Sequence, residues 1–274
     1  MYLINGQAKE NLSVRDRGLH YGDGLFETIA ILEGKPLCWD KHIDRLLQGC
    51  ERLGIKSPEK DVLQSETNQL CSDTDRGVLK IIITRGESDR GYKVPAASVV
   101  PTRIVISNPW PDYPDRKVTQ GVAARICKTR LGKNSQLAGV KHLNRLEQVL
   151  ARNEWDSPDI AEGLMLDSDD NVIEGTMSNV FIISDNNLLT PDLSQCGVQG
   201  IIRQCILDLA SELGIQAEVA NIKLDEIYKA DELFLSNSVL GIWPVDQLET
   251  HQFKSREYSS KIRKALIDTG SIVP

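Results

Sequence analysis

The chain has 274 residues, 41% hydrophobic and 26% charged, with a formal net charge of −7 at neutral pH. That is the composition of a folded globular protein with one large domain or two modest ones, far from the disordered range. The negative balance argues against a nucleic-acid backbone as partner, and no apolar run reaches the roughly 18–20 residues of a membrane span. The first residues turn polar at Asn5 and lack the charged and apolar regions of a secretory leader. Six scattered cysteines, none in a Cys-x-x-Cys pair, and four isolated histidines predict reduced thiols in a cytoplasmic setting and no bound metal.

Along the chain, residues 24–31 and 35–37 flank Glu33-Gly34, a hairpin signal. Asp40 predicts the cap of a helix over 41–53, with an apolar stripe of Ile43, Leu46, Leu47, Cys50 and Leu53 and Gly54 as its stop. A second helix is expected over 58–72. Residues 77–84 and 102–107 read as buried strands around a polar loop, 85–95. Pro109, Pro111 and Pro114 cannot continue a helix or a central strand, and they mark a linker. The expected division is a smaller α+β domain over 1–110, the linker over 111–120, and a larger domain over 121–274.

In the larger domain, 122–126 is a strand candidate. A helix is predicted over 143–155 with Leu143, Leu146, Val149 and Leu150 on its inward face. Residues 162–190 form a meander in which Glu174 interrupts an apolar strand with a carboxylate. Gly200 opens a helix to about 213, with Ile202, Cys205, Ile206, Leu209 and Leu213 inward and Gly214 as the stop. A short strand at 233–235 ends in Ser236-Asn237-Ser238. The class is α+β, in two domains.

Gly197 to Gly200 reads either as a tight turn or as a place where the backbone N–H groups of Gly200, Ile201 and Ile202 meet an anion at a helix start. Ser236-Asn237 offers hydroxyl and amide donors, and Arg45, off the stripe of its helix, offers a cation; alone each reads as ordinary surface, and together they sketch a phosphate cup. Lys141 is placed just before a helix, where the dipole disfavours its charge and favours a reactive neutral amine. Glu174 reads as a solvent-face residue or as the partner of a cationic ring nitrogen. The glycines at 22 and 24 do not complete a dinucleotide fingerprint, because Glu27 stands in the third place.

The motifs Asp-Arg-Gly-Leu-His-Tyr-Gly-Asp-Gly-Leu-Phe-Glu-Thr at 16–28, His-Ile-Asp-Arg-Leu at 42–46, Thr-Arg-Gly-Glu-Ser-Asp-Arg-Gly-Tyr at 84–92, Glu-Gly-Thr-Met-Ser-Asn at 174–179 and Gly-Val-Gln-Gly-Ile-Ile-Arg at 197–203 occur in this order. Nearly end to end, the chain resembles the fold-type IV pyridoxal-phosphate enzymes, the group of branched-chain and D-amino-acid aminotransferases and aminodeoxychorismate lyases. Within it, Arg-Leu-Gly-Lys-Asn at 130–134 and the run Ala-Gly-Val-Lys-His-Leu-Asn-Arg-Leu-Glu-Gln-Val-Leu at 138–150 resemble the lyase branch. The resemblance implies a two-domain α+β fold, pyridoxal 5′-phosphate as cofactor, a homodimer, and 4-amino-4-deoxychorismate as a small-molecule substrate. It matches Lys141 to the Schiff-base lysine, Glu174 to the carboxylate facing the pyridine nitrogen, and Arg45, Gly200, Ile201, Ser236 and Asn237 to the phosphate contacts. Thr28 falls where the lyases carry a hydroxyl that protonates the leaving group, whereas the branched-chain aminotransferases have glycine there. Arg90 and Tyr92 match a loop that reaches substrate in the D-amino-acid enzymes. The segment 239–244 and Thr176-Met177 depart from the lyase pattern.

Overall fold

The computed structural model describes residues 1–94 and 99–274, so Pro95, the end of the predicted polar loop, lies outside the described residues. The chain forms two compact units, Met1–Pro111 with Lys141–Asn144, and Asp112–Val140 with Arg145–Pro274.

The first unit contains β1 (Tyr2–Ile4), α1 (Arg17–Tyr21), β2 (Gly24–Leu32), β3 (Lys35–Pro36), α2 (Trp39–Leu53), α3 (Lys60–Cys71), β4 (Arg76–Thr84) and β5 (Thr102–Pro109). Its antiparallel sheet has the order β1-β5-β4-β2-β3. The β2–β3 turn falls at Glu33-Gly34, both at positive φ (50° and 75°), the left-handed pair that matches the twist of a tight hairpin. Leu25, Ile29 and Ile31 of β2 and Leu79, Ile81 and Ile83 of β4 fill one face of the sheet, and α2 contributes Ile43, Leu46 and Cys50 to the same core. The opposite face, with Phe26, Thr28, Lys80 and Ile82, is only half-buried. Helix α2 starts earlier than the sequence suggests. Cys38 is its N-cap, without a side-chain hydrogen bond, and Asp40 sits inside the first turn, where its charge complements the helix dipole.

The second unit contains α4 (Arg116–Thr119), β6 (Val122–Leu131), α5 (Leu146–Arg152), β7 (Ile160–Asp167), β8 (Asn171–Gly175), β9 (Asn179–Ser184), β10 (Asn187–Pro191), α6 (Ile201–Ala210), β11 (Gln216–Ala220), β12 (Ile222–Lys223), α7 (Leu224–Lys229), β13 (Glu232–Asn237), β14 (Gly241–Leu248), β15 (His251–Gln252) and α8 (Glu257–Asp268). The strand order is β11-β10-β9-β13-β14-β6-β7-β8-β12, and β9 also pairs with β8. The path from β9 through β13, β14, β6, β7 and β8 therefore returns to β9 and closes on itself, through the pair Glu174 and Asn179. Leu164, Leu166, Val180, Ile182, Leu233, Leu235 and Trp243 pack inside it, all at most 1% exposed.

Two expectations change here. Residues 112–120 are not a free linker: Tyr113 meets Trp243 edge to face at 4.9 Å, and the Lys117 ammonium lies over both rings. The helix expected over 143–155 is only Leu146–Arg152, because residues 141–143 are claimed by a strand edge. Phe26 N–H donates to the Lys141 carbonyl at 3.0 Å, Leu143 N–H donates to the Gly24 carbonyl at 3.0 Å, and Leu25 bridges His142. Lys141 thus groups by its contacts with the first unit rather than the larger one. The apolar face of α5 is open, with Leu146, Val149 and Leu150 exposed by 76%, 51% and 60%. Among the described residues, no helix is long and apolar enough to cross a membrane.

Candidate active site

In the first unit the lysine predicted from the sequence lies along the edge of β2. The Lys141 Nζ is 4.3 Å from the centre of the Phe26 ring, and the Lys80 Nζ is 5.3 Å from the same ring. Thr28 lies two residues along β2 from Phe26 and so on the same strand face, directly opposite Lys80 in the ladder. Lys141, Phe26, Thr28 and Lys80 therefore form one half-buried surface. The dipole argument for Lys141 does not hold, since α5 begins at Leu146, five residues on. What holds its chain is strand-edge pairing. Lys80 was missed by sequence reasoning; its signal was a single lysine interrupting the apolar run 78–83.

Arg45 is on α2, but its surroundings are not those of a surface charge. Its Nε donates to Glu27 Oε1 at 2.8 Å and its Nη2 to Glu27 Oε2 at 2.5 Å, and His42 Nδ1 approaches Oε2 at 2.7 Å. Glu27 and His42 are both 1% exposed. Burial raises the Glu27 carboxyl, but the Arg45 guanidinium and the His42 hydrogen bond outweigh it and hold the group down at about 2. For His42, burial is the strongest influence and lowers its pKa, and the positive charges of Arg45 and Lys141 act in the same direction against Glu27. A neutral ring donates Nδ1–H to Glu27.

Arg90 and Tyr92 lie in an exposed loop, Tyr92 86% exposed with its ring 5.4 Å from that of Tyr21. The loop backbone is held by buried Arg17, whose Nη1 donates to the Gly91 carbonyl at 2.9 Å and Nη2 to the Tyr92 carbonyl at 3.1 Å. Asp23 fixes Arg17 from the other side and Arg85 as well. The structure brings neither Arg90 nor Tyr92 into the buried part of the unit.

In the second unit, strand register lines up the other predicted residues. Glu174 on β8 is opposite Asn179 on β9, and Asn179 is opposite Ser236 on β13. Glu174 is 4% exposed, so the half-buried strand carries its carboxylate inward; Oε2 accepts Val198 N–H at 2.8 Å and Oε1 accepts Gln148 Nε2 at 3.3 Å. Asn179 Nδ2 donates to the Val198 carbonyl at 2.9 Å, so one residue of the turn before α6 is gripped by both side chains. Gly200 is the N-cap of α6 and leaves the cap without a side-chain hydrogen bond. A Cβ there would stand 2.0 Å from Asn179 Oδ1, so a side chain fits only if Asn179 is displaced. Asn237 is a turn builder: its Oδ1 accepts Val239 and Leu240 N–H at 2.8 Å each, and its Nδ2 donates to the Met177 carbonyl.

These features suit a phosphorylated, cationic ring. Ser236 Oγ is buried without a hydrogen-bond partner, a polar atom that a phosphate oxygen would satisfy. The start of α6, without a side-chain cap, could receive an anion, and the buried Glu174 carboxylate could serve as counter-charge to a protonated ring nitrogen. Sequence reasoning also missed Glu162. It is fully buried on β7 and accepts from Gly163, Thr176 and Met177 N–H and from the Thr176 and Ser178 hydroxyls, thereby shaping the turn that follows Glu174.

The fold and these residues define a class. The family model of class IV amino-transferases matches residues 24–248, and the chain belongs to that pyridoxal-phosphate-dependent family, with the α+β fold expected from the sequence. Among its relatives, an aminodeoxychorismate lyase of Vibrio harveyi is 34% identical over 255 residues, covering 93% of each chain. The solved structure of 4-amino-4-deoxychorismate lyase from Pseudomonas aeruginosa is 44% identical with a TM-score of 0.95, covering 99% of this chain and 100% of that one. A D-alanine aminotransferase of Listeria innocua is 28% identical, with 90% of this chain and 87% of that protein covered.

Proposed function

We propose that the protein is a carbon–oxygen lyase that converts 4-amino-4-deoxychorismate to 4-aminobenzoate and pyruvate, a step of folate biosynthesis. The observation that carries this reading is the placement of Thr28 on the strand face of Phe26, whose ring lies under the Lys141 Nζ. A lyase needs a proton donor for its leaving group beside the lysine that removes the substrate proton, and an aminotransferase does not. The similarity to two lyases over nearly the whole chain supports the same choice.

When bound, pyridoxal 5′-phosphate supplies an electron sink for the carbon that loses its proton. Lys141 Nζ carries the cofactor in the resting enzyme and, once released, takes the proton from the amine-bearing ring carbon of the substrate. Thr28 Oγ1 delivers a proton to the methylene of the departing enolpyruvyl group as its carbon–oxygen bond breaks. As a weak acid it relays that proton rather than donating it alone. Glu174 holds a proton at the pyridine nitrogen. Arg45, the N–H groups of Gly200 and Ile201, and Ser236 with the Asn237 backbone hold the phosphate. Lys80, opposite Thr28, is the cation placed to meet a substrate carboxylate, and Arg90 and Tyr92 approach the substrate from their loop. The exposed Leu146, Val149 and Leu150 on α5 support a homodimer that covers them. Six cysteines, none in a Cys-x-x-Cys pair, suit a cytoplasmic enzyme.

The test is pyruvate and 4-aminobenzoate release from 4-amino-4-deoxychorismate, with D-alanine and L-leucine plus 2-oxoglutarate assayed in parallel. Rapid release with little keto-acid exchange is expected. The reverse pattern assigns the protein to the branched-chain or D-amino-acid aminotransferases. Lys141→Ala is expected to lose both the visible absorption of the bound cofactor and the activity; a coloured, active variant overturns the role of the lysine.

A further inference from the structure

We infer that Glu27 and His42 are positioning residues for Arg45, a strand-to-helix brace that fixes the guanidinium for the phosphate of the cofactor. The inference deepens the proposed function and rests on the reading of Arg45 as a phosphate ligand. Its ground is the geometry of two buried groups, Glu27 and His42, around a part-buried arginine. The two oxygens of Glu27 engage the Nε–Nη2 edge of Arg45 at 2.8 and 2.5 Å, the planar fork-to-fork arrangement that fixes the plane of a guanidinium as well as its place. The donors of its remaining edges are thereby directed away from Glu27. His42 approaches Glu27 Oε2 at 2.7 Å and holds the carboxylate in turn. His42 and Arg45 are one turn apart on α2, while Glu27 belongs to β2 and lies opposite Ile81 of β4 on the core face of the sheet.

The choice of residue at position 27 points the same way. Its neighbours on that strand face, Leu25, Ile29 and Ile31, are apolar and at most 2% exposed. A further aliphatic side chain would fold there without desolvating a charge, so a glutamate is costly unless it does something an aliphatic residue cannot. Holding an otherwise flexible arginine in one orientation is such a task. There is an opposing effect: the Glu27 charge repels a phosphate. If orientation dominates, removing the carboxylate weakens phosphate binding; if repulsion dominates, removing it strengthens binding.

The experiment uses the full-length apoenzyme and compares pyridoxal 5′-phosphate with pyridoxal, which lacks only the phosphate. Each is titrated by its absorbance change on binding to wild type, Glu27→Gln, His42→Asn and Arg45→Gln. Glu27→Gln is expected to lower affinity for the phosphorylated form by about tenfold or more, leaving pyridoxal within about twofold, with His42→Asn shifting the ratio the same way by less. Equal loss of both ligands, as a merely structural role requires, or unchanged or tighter binding of the phosphorylated form, overturns the inference. Should Glu27→Gln fail to fold, His42→Asn carries the test, because it leaves the Glu27–Arg45 pair in place. Arg45→Gln separates the two levels. If it loses phosphate discrimination while the other variants keep it, the brace fails and the reading of Arg45 stands. If it keeps discrimination, that reading fails together with the brace.

Discussion

Glu162 offers the sharpest test of how the second unit is built. Its fully buried carboxylate receives five donors: Gly163 N–H at 2.9 Å, Thr176 N–H at 3.0 Å, Thr176 Oγ1 at 2.5 Å, Met177 N–H at 3.2 Å and Ser178 Oγ at 2.8 Å. Glu162→Gln keeps the shape and replaces one acceptor oxygen with an NH2 group. On the Oε2 side the Ser178 hydroxyl can rotate and accept instead, but the Met177 N–H then faces another donor. One unsatisfied, part-buried amide and the loss of charge assistance in the remaining bonds sum to about 2–3 kcal/mol. Thr176→Val removes a single hydroxyl donor and is expected to cost about 1 kcal/mol. The assay is urea unfolding followed by far-ultraviolet circular dichroism, with all proteins saturated with cofactor so that ligand stabilisation is equal. Glu162→Gln within about 0.5 kcal/mol of wild type, the range of an ordinary surface change, would refute the account of this carboxylate as the organiser of the turn.

Gly200→Ala places a methyl group 2.0 Å from Asn179 Oδ1 and must displace the side chain that grips Val198, so apoenzyme affinity for pyridoxal 5′-phosphate should fall about tenfold, an overpacking cost of about 1–3 kcal/mol. An unchanged dissociation constant would mean that the start of α6 does not hold the phosphate. The buried thiols should be inert in the native state: burial raises Cys50 and Cys71 to about 11 and Cys127 and Cys196 to about 12. With a disulfide reagent at mildly alkaline pH, half-buried Cys38 should react in the native state and the five buried thiols only in denaturant. Glu27 is held down from 4.5 to about 2, so its ionised form stabilises the fold fully above about pH 4.5, and that contribution is lost as the pH falls toward 2. Stability measured downward from pH 5 should therefore decline less steeply in Glu27→Gln than in wild type, and parallel slopes would contradict the pairing.

Local patterns in the sequence carried the elements whose causes are local. The Glu33-Gly34 turn and the stripe Ile43, Leu46 and Cys50 each follow from residues a few positions apart. The start of α2 differed because backbone geometry at Cys38, rather than the good capping chemistry of Asp40, begins the helix. The short α5 was not legible because its apolar spacing is genuinely helical, while the competing partner of residues 141–143 is a strand more than a hundred residues earlier. The same distance problem hid the polar framework. Glu27 meets Arg45 and His42, and Glu162 meets Thr176 to Ser178, only once a strand is laid against a helix or a turn. The residue types proposed to be catalytic could be read from motifs, but the buried carboxylates Glu27 and Glu162 could not, since an isolated glutamate in a strand carries no mark of its partner.

The membership of residues 141–144 in the first unit has a consequence for how the protein is made. On the ribosome, residues 1–111 emerge with the β2 edge at Gly24 and Phe26 lacking the segment that later hydrogen-bonds to it. That edge stays bare, with unsatisfied backbone groups that invite pairing with another nascent chain, until residue 144 has followed. The lysine and its flanks are the last piece of the first unit to be synthesised. The sheet is completed only when the residue proposed to carry the cofactor has been added, so a chain cut at the unit boundary loses both at once.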